Sequence, residues 1–469
     1  MPQNCHIYTN FATMNLTEAF IEQIQGLLPD EWEALTRAIT STEPSVAVRI
    51  NDARGALIPD GARRVPWCDK GFYLEDRPAF TFDPDWHAGC YYVQDASSMF
   101  IAHVIRSLIP GPVRYLDLCA APGGKTTAAI QALPQHSLVV ANEIVPPRAR
   151  VLADNVIRWG NPRCVVTSNA PAQVGKLTHF FDVIAADVPC SGEGMMRKDD
   201  EAVAQWSPTL VNECAQRQRE ILTDVWQALR PGGLLIYSTC TYNRQENEDI
   251  ADFIVNELGA TSLEVPVEPA WNIHPAIHSA CHCYRFMPHR VDGEGLFMAA
   301  FRKDGDSPRQ DIRTKEKSAK KCDETVKKWL SSPDEYVLDQ QGDLMVAVPQ
   351  DIRREVAALR GSLNVLHAGV ELATVMGRKT VPHHALAMSL ARAADAFPAC
   401  EVDYPTALRY LRGESISVDG PRGYVLIAHM GAVLGLANNL GNRANNLYPK
   451  PLRILSTHLP DAKPAVTIH

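Results

Sequence analysis

The chain has 469 residues, of which 46% are hydrophobic and 21% are charged, and its formal net charge is −8. This composition is ordinary for a globular protein, and at roughly 150 residues per domain it predicts about three domains. The acidic balance argues against binding of nucleic acid by the whole surface, although a local basic face is compatible with it. The sequence contains no run of about 20 uninterrupted apolar residues, so we expect no membrane partner.

The amino-terminal residues and the cysteines predict the compartment. Residues 1–15 lack a basic stretch followed by an apolar run, so we expect no secretory signal and a cytoplasmic protein. The 12 cysteines are scattered along the chain, and free thiols are expected for them. Cys281, His282 and Cys283 form a tight cluster, but their spacing does not match a zinc site and no second pair follows, so no metal is expected.

Residues 1–112 predict an α+β domain at the start of the chain. Apolar residues between Leu16 and Thr40 recur at helical spacing and are interrupted at Pro29 and Asp30, which predicts two short helices. The segments SVAVRIN and GFYLED then have the composition of strands.

Residues 113–303 show a different pattern, in which strands and helices alternate. Strands are predicted in VRYLDLCA, LVVANE, CVVTS, DVIAADVP and GLLIYST. Helices are predicted between them, including a long one from Ser207 to about Arg230. This alternation predicts an α/β fold with a doubly wound, Rossmann-like, mostly parallel sheet covered by helices on both faces. Ligands of such sheets bind outside the carboxyl ends of the strands.

The remaining residues predict two smaller parts. Residues 304–388 begin with a polar, Lys-rich linker from Asp304 to about Lys321 and continue as a small middle domain. Residues 389–469 contain short strands punctuated by Gly and Asn. The apolar stretch from Gly423 to Leu440 is broken by His429, glycines and asparagines, which predicts strands separated by a turn.

A glycine turn follows the first strand of the alternating region, in DLCAAPGGKT. Gly123 and Gly124 allow a ligand to approach the backbone, and the next helix offers free amide groups. A phosphate-binding P-loop would need glycine where Cys119 stands, and the dinucleotide fingerprint GxGxxG is absent. A methyl-donor site needs only the turn, and Glu143, after the second strand, can accept hydrogen bonds from two ribose hydroxyls. A plain tight turn and a helix-capping glutamate are the structural alternatives.

Two cysteines follow other strands of the same region. Asp187 and Cys190 come after DVIAAD, and Cys240 comes after GLLIYST, so we expect them at the same sheet edge as the glycine turn. A buried cysteine is usually a small apolar residue, but a thiolate at such an edge can be a nucleophile. Its addition to carbon 6 of cytosine makes carbon 5 reactive toward a sulfonium methyl group. A protonated Asp187 would stabilise charge at ring nitrogen 3, whereas an ionised one would accept hydrogen bonds, for example from the exocyclic amine.

Several motifs resemble the Nop/Sun family of RNA cytosine-5 methyltransferases: DLCAAPGGKT, DVPCSGEGMMRKD, LRPGGLLIYSTCTYNRQENE and RFMPHRVDGEGLFMAAFRK, with YYVQDASSM upstream. They occur in family order and cover roughly residues 1–303. The resemblance implies S-adenosylmethionine as the cofactor, Cys240 as the covalent nucleophile, Cys190 as the thiol that assists product release and Asp187 as an acid that contacts donor or base. Family members often carry Asp near the donor's adenine, where this chain has Asn169 or a neighbour. The implied donor-binding residues are Cys119, Ala120, Ala121, Pro122, Gly123, Gly124, Lys125, Glu143, Asn169 and Asp187.

The carboxyl-terminal stretch from LRYLRGE to PLRI resembles a PUA-type RNA-binding module, with basic residues at Arg443, Lys450 and Arg453. A small packing domain is the alternative. The whole resemblance implies methylation of carbon 5 of cytosine in RNA by a monomer, with 16S ribosomal RNA or the 30S subunit as the expected partner. The alternatives are the same chemistry on transfer RNA or 23S ribosomal RNA, a DNA cytosine-5 methyltransferase with its nucleophile at Cys190, a small-molecule methyltransferase and a non-catalytic ribosome-assembly factor.

Overall fold

The computed structural model describes residues 16–55, 62–307, 324–377, 379–456 and 458–464. Residues 1–15, from which the absence of a secretory signal was inferred, and most of the predicted linker lie outside these ranges. None of the helices within the described ranges is long and apolar enough to cross a membrane.

The helices and strands are numbered in chain order. The helices are α1 (Glu18–Leu27), α2 (Trp32–Ser41), α3 (Pro84–His87), α4 (Phe100–Leu108), α5 (Gly124–Ala132), α6 (Pro146–Trp159), α7 (Pro171–Gly175), α8 (Asp200–Gln205), α9 (Pro208–Val225), α10 (Glu248–Asn256), α11 (Arg353–Ser362), α12 (His384–Met388) and α13 (Tyr404–Leu411). The strands are β1 (Val46–Ile50), β2 (Arg64–Val65), β3 (Cys68–Leu74), β4 (Tyr91–Val93), β5 (Arg114–Asp117), β6 (Leu138–Asn142), β7 (Cys164–Thr167), β8 (Phe181–Asp187), β9 (Leu229–Thr239), β10 (Ala260–Leu263), β11 (Cys283–Phe286), β12 (Leu296–Lys303), β13 (Tyr336–Gln341), β14 (Leu344–Pro349), β15 (Val365–Ala368), β16 (Val370–Met376), β17 (Lys379–Pro382), β18 (Ala399–Glu401), β19 (Gly423–His429), β20 (Ala432–Asn439) and β21 (Ala444–Asn446).

The amino-terminal region combines helices with a small antiparallel sheet. α1 and α2 lie on either side of the break at Pro29 and Asp30, which confirms the two predicted helices. The Thr17 side chain caps α1 by accepting a hydrogen bond from the Phe20 amide. The sheet has the order β2-β3-β1-β4, and β1 and β3 are the two strands predicted in this region.

The central sheet positions the candidate site. Within the described ranges it contains nine strands in the order β10-β12-β9-β8-β5-β6-β7-β15, with β11 paired to β12. The strands β5 to β9 are parallel to one another, and the outer strands are antiparallel. One apolar cluster packs α9, α10 and α11 on one face, and another packs α4, α5 and α6 on the other. The predicted doubly wound, Rossmann-like fold is therefore confirmed.

The long helix ends earlier than the sequence pattern predicts. α9 stops at Val225, and β9 already begins at Leu229 and runs through the PGG segment that was expected to follow the helix. Leu229 pairs with Phe181 of β8, and Arg230 Nε donates to the carboxylate of Asp182 at 2.8 Å. These contacts with a distant strand override the local helical pattern.

The segment predicted as a middle domain contributes to two sheets. β13, β14, β16 and β17 form an antiparallel sheet, whereas β15 pairs antiparallel with β7 at the edge of the central sheet. The last sheet has the order β18-β19-β20-β21. β19 and β20 pair antiparallel on either side of Met430 and Gly431, which confirms the strands predicted between Gly423 and Leu440.

The last sheet packs against the amino-terminal one. Val48 and Phe72 share an apolar cluster with Leu408 and Val425. Lys463, near the end of the described chain, places its Nζ 2.6 Å from Asp85 Oδ2 and 3.8 Å from Asp83 Oδ1. The amino-terminal sheet region and the carboxyl-terminal region are thus held together by apolar packing and by a partly buried ion pair.

Candidate active site

The loops after β8 and β9 bring the two predicted cysteines together. Cys190 Sγ lies 3.1 Å from Cys240 Sγ, and the Cys240 amide donates to Cys190 Sγ at 3.3 Å. The strands are parallel neighbours that pair Asp187 with Ser238, so the two loops leave the sheet side by side. The hydrogen bond with Cys240, together with burial, raises the pKa of the Cys190 thiol well above its ordinary value. Cys190 is therefore a neutral thiol near pH 7.

Asp187, at the end of β8, links the donor loop to β9. Its Oδ2 is 2.9 Å from Lys125 Nζ, and its Oδ1 accepts a hydrogen bond from the Ser238 hydroxyl at 2.7 Å. Burial alone would lower the pKa of Lys125, but the charge and hydrogen bond of Asp187, with a further contribution from Cys240, raise it. The ammonium group of Lys125 therefore stays charged beside the Asp187 carboxyl group, and its charge also interacts with Cys240.

The glycine turn between β5 and α5 forms the predicted donor loop, residues 119–125. Gly123 has a φ of 112°, a left-handed conformation that favours glycine. The Pro122 carbonyl accepts a hydrogen bond from Asn155 Nδ2 at 2.7 Å, and the Ala121 carbonyl accepts one from Arg148 at 3.0 Å. The loop is therefore fixed through its own backbone carbonyls.

Two carboxyl groups flank the donor loop. Glu143, directly after β6, is buried; its Oε1 accepts from the Val145 amide at 2.9 Å, and its Oε2 is 3.7 Å from Arg148. Asp117, at the end of β5, is buried and accepts from the Thr126 hydroxyl at 2.6 Å. Burial raises the pKa of Asp117 to about 7. S-adenosylmethionine carries a sulfonium cation and ribose hydroxyls, and a loop flanked by carboxyl groups fits both.

Asn169 follows β7, but the chain itself uses its amide. Asn169 Oδ1 accepts from the Asn364 amide at 3.0 Å, and Nδ2 donates to the Asn364 carbonyl at 3.3 Å. These bonds tie the donor side of the sheet to the residue that precedes β15. The contact with adenine stays a prediction, and it would have to coexist with both bonds.

A buried polar network beneath the thiol loops was not predicted from the sequence. Glu193, Asn243 and Glu246 are all 0% exposed. Glu193 accepts hydrogen bonds from two backbone amides of the Cys240 loop, and Glu246 accepts from Ser191 at 3.0 Å and Gln218 at 2.7 Å. The run TYNRQENE was visible as a polar segment after a strand, but its pattern does not separate the buried side chains from the exposed ones. Asp117 is likewise a buried carboxyl group of this site that the donor-loop motif contains but does not mark as functional.

Comparisons with known proteins cover nearly the whole chain. Residues 16–96 match the N-terminal domain of 16S rRNA methyltransferase RsmF, residues 111–302 match 16S rRNA methyltransferase RsmB/F and residues 397–454 match the methyltransferase RsmF PUA domain. The ribosomal RNA small subunit methyltransferase F of Shewanella loihica is 31% identical over 412 residues, which is 83% of each protein. The protein of the same name from Aliivibrio fischeri strain MJ11 is 30% identical over 471 residues, covering 93% of this chain and 97% of that relative.

The chain belongs to the ribosomal RNA small subunit methyltransferase F family.

Membership of the RsmF family confirms the resemblance to Nop/Sun enzymes and the prediction of an S-adenosylmethionine-dependent RNA methyltransferase. Two solved structures share the fold. A methyltransferase homolog protein from Pyrococcus horikoshii has a TM-score of 0.53 and 23% identity, covering 62% of this chain and 96% of that one. NSun6 from the same organism, solved with SFG, has a TM-score of 0.52 and 19% identity, covering 62% of this chain and 99% of that one.

Proposed function

We propose that this enzyme methylates carbon 5 of cytosine in RNA, with Cys240 as the covalent nucleophile. The observation that carries the proposal is the pair of thiols at the carboxyl edge of the sheet, 3.1 Å apart. Transfer to an oxygen or an exocyclic nitrogen needs no thiol, whereas transfer to carbon 5 needs a nucleophile that activates the ring.

The covalent cycle has three steps, which are addition of the thiolate, methyl transfer and release of the methylated base. The Cys240 thiolate forms a bond to carbon 6, and the displaced ring electrons make carbon 5 nucleophilic. Bound S-adenosylmethionine supplies the methyl group. A base such as solvent water then takes the proton from carbon 5, the double bond between carbons 5 and 6 returns, and the electron pair of the carbon–sulfur bond stays on Cys240. A thiol at hydrogen-bond distance stabilises the departing sulfur, and Cys190 is our candidate for this role because it is neutral and adjacent.

We assign Asp187 the acceptor role rather than the acid role. Lys125 Nζ and the Ser238 hydroxyl both donate to its carboxyl oxygens, so Asp187 already serves as a hydrogen-bond acceptor within the chain. A carboxyl oxygen in this acceptor role can also accept a hydrogen bond from the exocyclic amine of cytosine, a donor that uracil lacks. Asp187 therefore contributes to the choice of base.

The donor is held by the loop 119–125 and by Glu143. The loop carries a glycine where a side chain would be strained, and Glu143 offers a buried carboxylate at the end of the neighbouring strand. We propose that this carboxylate accepts hydrogen bonds from the ribose hydroxyls. Asn169 is the predicted neighbour of the adenine.

The RNA substrate is 16S ribosomal RNA in this proposal. The support is the RsmF family, whose members are named for the small ribosomal subunit, and the match of residues 397–454 to a PUA domain. We propose that residues 1–112 and 389–469 bind the RNA around a catalytic domain of residues 113–303, with residues 304–388 as linker and middle domain, in a cytoplasmic monomer. Transfer RNA and 23S ribosomal RNA are the alternatives.

Bisulfite sequencing tests the proposed substrate. Total RNA from cells with and without the protein is compared, and the expected result is the loss of 5-methylcytosine from 16S ribosomal RNA alone. Loss from transfer RNA or 23S ribosomal RNA would redirect the assignment. Purified protein that transfers no labelled methyl group to any RNA would favour a non-catalytic assembly factor.

A further inference from the structure

Asn243 joins the two loops that carry the reactive cysteines. The residue is fully buried, and its Nδ2 lies 3.3 Å from Ser191 Oγ in one loop and 2.9 Å from Thr241 Oγ1 in the other. The two hydroxyl oxygens are themselves 2.9 Å apart. Ser191 and Thr241 each directly follow a reactive cysteine. The hydrogen bonds among Ser191, Thr241 and Asn243 therefore connect the two loops at the residues next to the reactive cysteines.

The same amide contacts two buried carboxyl groups. Asn243 Nδ2 lies 3.0 Å from Glu193 Oε1 and 2.7 Å from Glu246 Oε1, and its Oδ1 accepts from the Glu246 amide at 2.9 Å. Burial raises the pKa of Glu246. An amide nitrogen carries two protons, so these carboxyl oxygens and the two hydroxyls share them. Removal of the amide would leave buried acceptors short of a donor, which is costly.

Each of the two carboxyl groups accepts hydrogen bonds from the backbone of the opposite loop. Glu193, on the Cys190 side, accepts from the backbone amides of Tyr242 and Asn243 at 2.7 and 2.9 Å. Glu246, on the Cys240 side, accepts from the backbone amide of Ser191 at 3.0 Å. Asn243 lies between them and donates to both. The distance between the loops is thus set by this network rather than by the strands alone.

We propose that Asn243 is a positioning residue that holds Cys190 against Cys240 and thereby sets the rate at which methylated RNA is released. The inference rests on the proposed covalent function. When the bond between carbon 6 and Cys240 breaks, its electron pair stays on the sulfur, and the neutral Cys190 thiol must lie at hydrogen-bond distance to stabilise it. Asn243 acts through the two loops, so its loss slows release more than it slows methyl transfer.

Asn243→Ala tests the inference in the full-length protein with S-adenosylmethionine and a 16S ribosomal RNA transcript. Methyl transfer in a single turnover is expected to stay within about twofold of the wild type, whereas the multiple-turnover rate falls about tenfold or more. A covalent protein–RNA adduct should persist on a denaturing gel, as it should for Cys190→Ala. A purely structural role would lower both rates together and leave no adduct.

Two further variants serve as a control and as a second test of the link between the loops. Ser137→Ala is the matched control, because Ser137 is also buried and donates to the Pro134 carbonyl at 2.7 Å just before β6, at the sheet edge opposite the thiol loops; it should accumulate no adduct. Ser191→Ala removes only the hydroxyl link and should slow release in the same direction by a smaller factor. If Asn243→Ala fails to fold, an unchanged release rate in Ser191→Ala overturns the inference.

The inference and the proposed function fail in different ways. Equal losses of both rates in Asn243→Ala, without adduct, contradict the positioning role while Cys190→Ala still traps RNA. The absence of any adduct in the wild type and in Cys190→Ala, in contrast, contradicts the covalent mechanism itself.

Discussion

The donor loop and the thiol loops lie at the same edge of one sheet, but they are held in different ways. The donor loop is fixed through backbone carbonyls, in part by Arg148, whose side chain is 59% exposed. The thiol loops are fixed by the fully buried side chains of Glu193, Asn243 and Glu246. In the proposed mechanism, the first loop receives a diffusible donor, whereas the two sulfur atoms act on one ring and need a fixed separation before the RNA arrives. The two manners of support fit the roles that we propose for the two regions.

The two regions should affect different properties of the enzyme. Variants at the thiol loops should leave the affinity for S-adenosylmethionine unchanged. Variants around the donor loop should leave the balance between methyl transfer and RNA release unchanged. A variant that changes both would show that the two regions are coupled.

Cys240→Ala is expected to have the largest effect. Methyl transfer should fall roughly 10⁴-fold or more, because carbon 5 is not activated without the covalent bond to carbon 6. Transfer of labelled methyl to RNA measures the loss, and calorimetry should give a wild-type affinity for S-adenosylmethionine. An adduct that forms without Cys240 but requires Cys190 would reverse the two roles and favour the arrangement of DNA enzymes.

Asp117→Asn, beside the donor loop, should change how the free energy of unfolding depends on pH. The folded-state pKa of about 7 lies above the ordinary value, so the stability linked to this group is present below about pH 4 and is lost as pH rises through 7. Asparagine imitates the protonated acid, so the variant should gain up to about 4 kcal/mol in free energy of unfolding at pH 8 and nothing at pH 4. Urea unfolding at both pH values measures this, and the same difference between variant and wild type at both values would contradict it.

Cys190→Ala should slow turnover about 100-fold while leaving the first methyl transfer largely intact. The reason is that the departing Cys240 sulfur loses the neutral thiol beside it. Adduct on a denaturing gel, quantified with time, gives the release rate. Rapid release from this variant would remove Cys190 from the mechanism.

Glu143→Gln should have the smallest effect, about a tenfold weaker affinity for S-adenosylmethionine. A carboxylate makes a stronger hydrogen bond to a hydroxyl than a neutral amide does, and the difference amounts to about 1–2 kcal/mol. Isothermal calorimetry measures the affinity, and the partition between transfer and release should stay at the wild-type value. An unchanged affinity would indicate that the ribose is held elsewhere.

The sequence was sufficient to predict the parts of the site that follow strand ends. The order of strands and helices predicts a parallel sheet, and the carboxyl ends of parallel strands meet at one edge, so Glu143, Asp187, Cys190 and Cys240 could be grouped without coordinates. The same reasoning could not give the 3.1 Å between the sulfur atoms, because that distance depends on side chains that are far apart in sequence.

The elements that the sequence did not reveal are those decided by distant partners. The end of α9 depends on pairing between β8 and β9, and the bonds of Asn169 depend on Asn364, 195 positions away. The buried network depends on Glu193 and Glu246, which look like ordinary surface acids in the sequence. Local periodicity carries no signal for such contacts.

The position of β15 has a consequence for any shortened form of the enzyme. A protein ending near Lys303 would keep the donor loop and both thiols, but it would leave β7 with an open row of amide and carbonyl groups along an apolar strand. Such an edge is a template on which further copies of the fragment can add strands. The region after the linker thus protects the catalytic sheet from self-association.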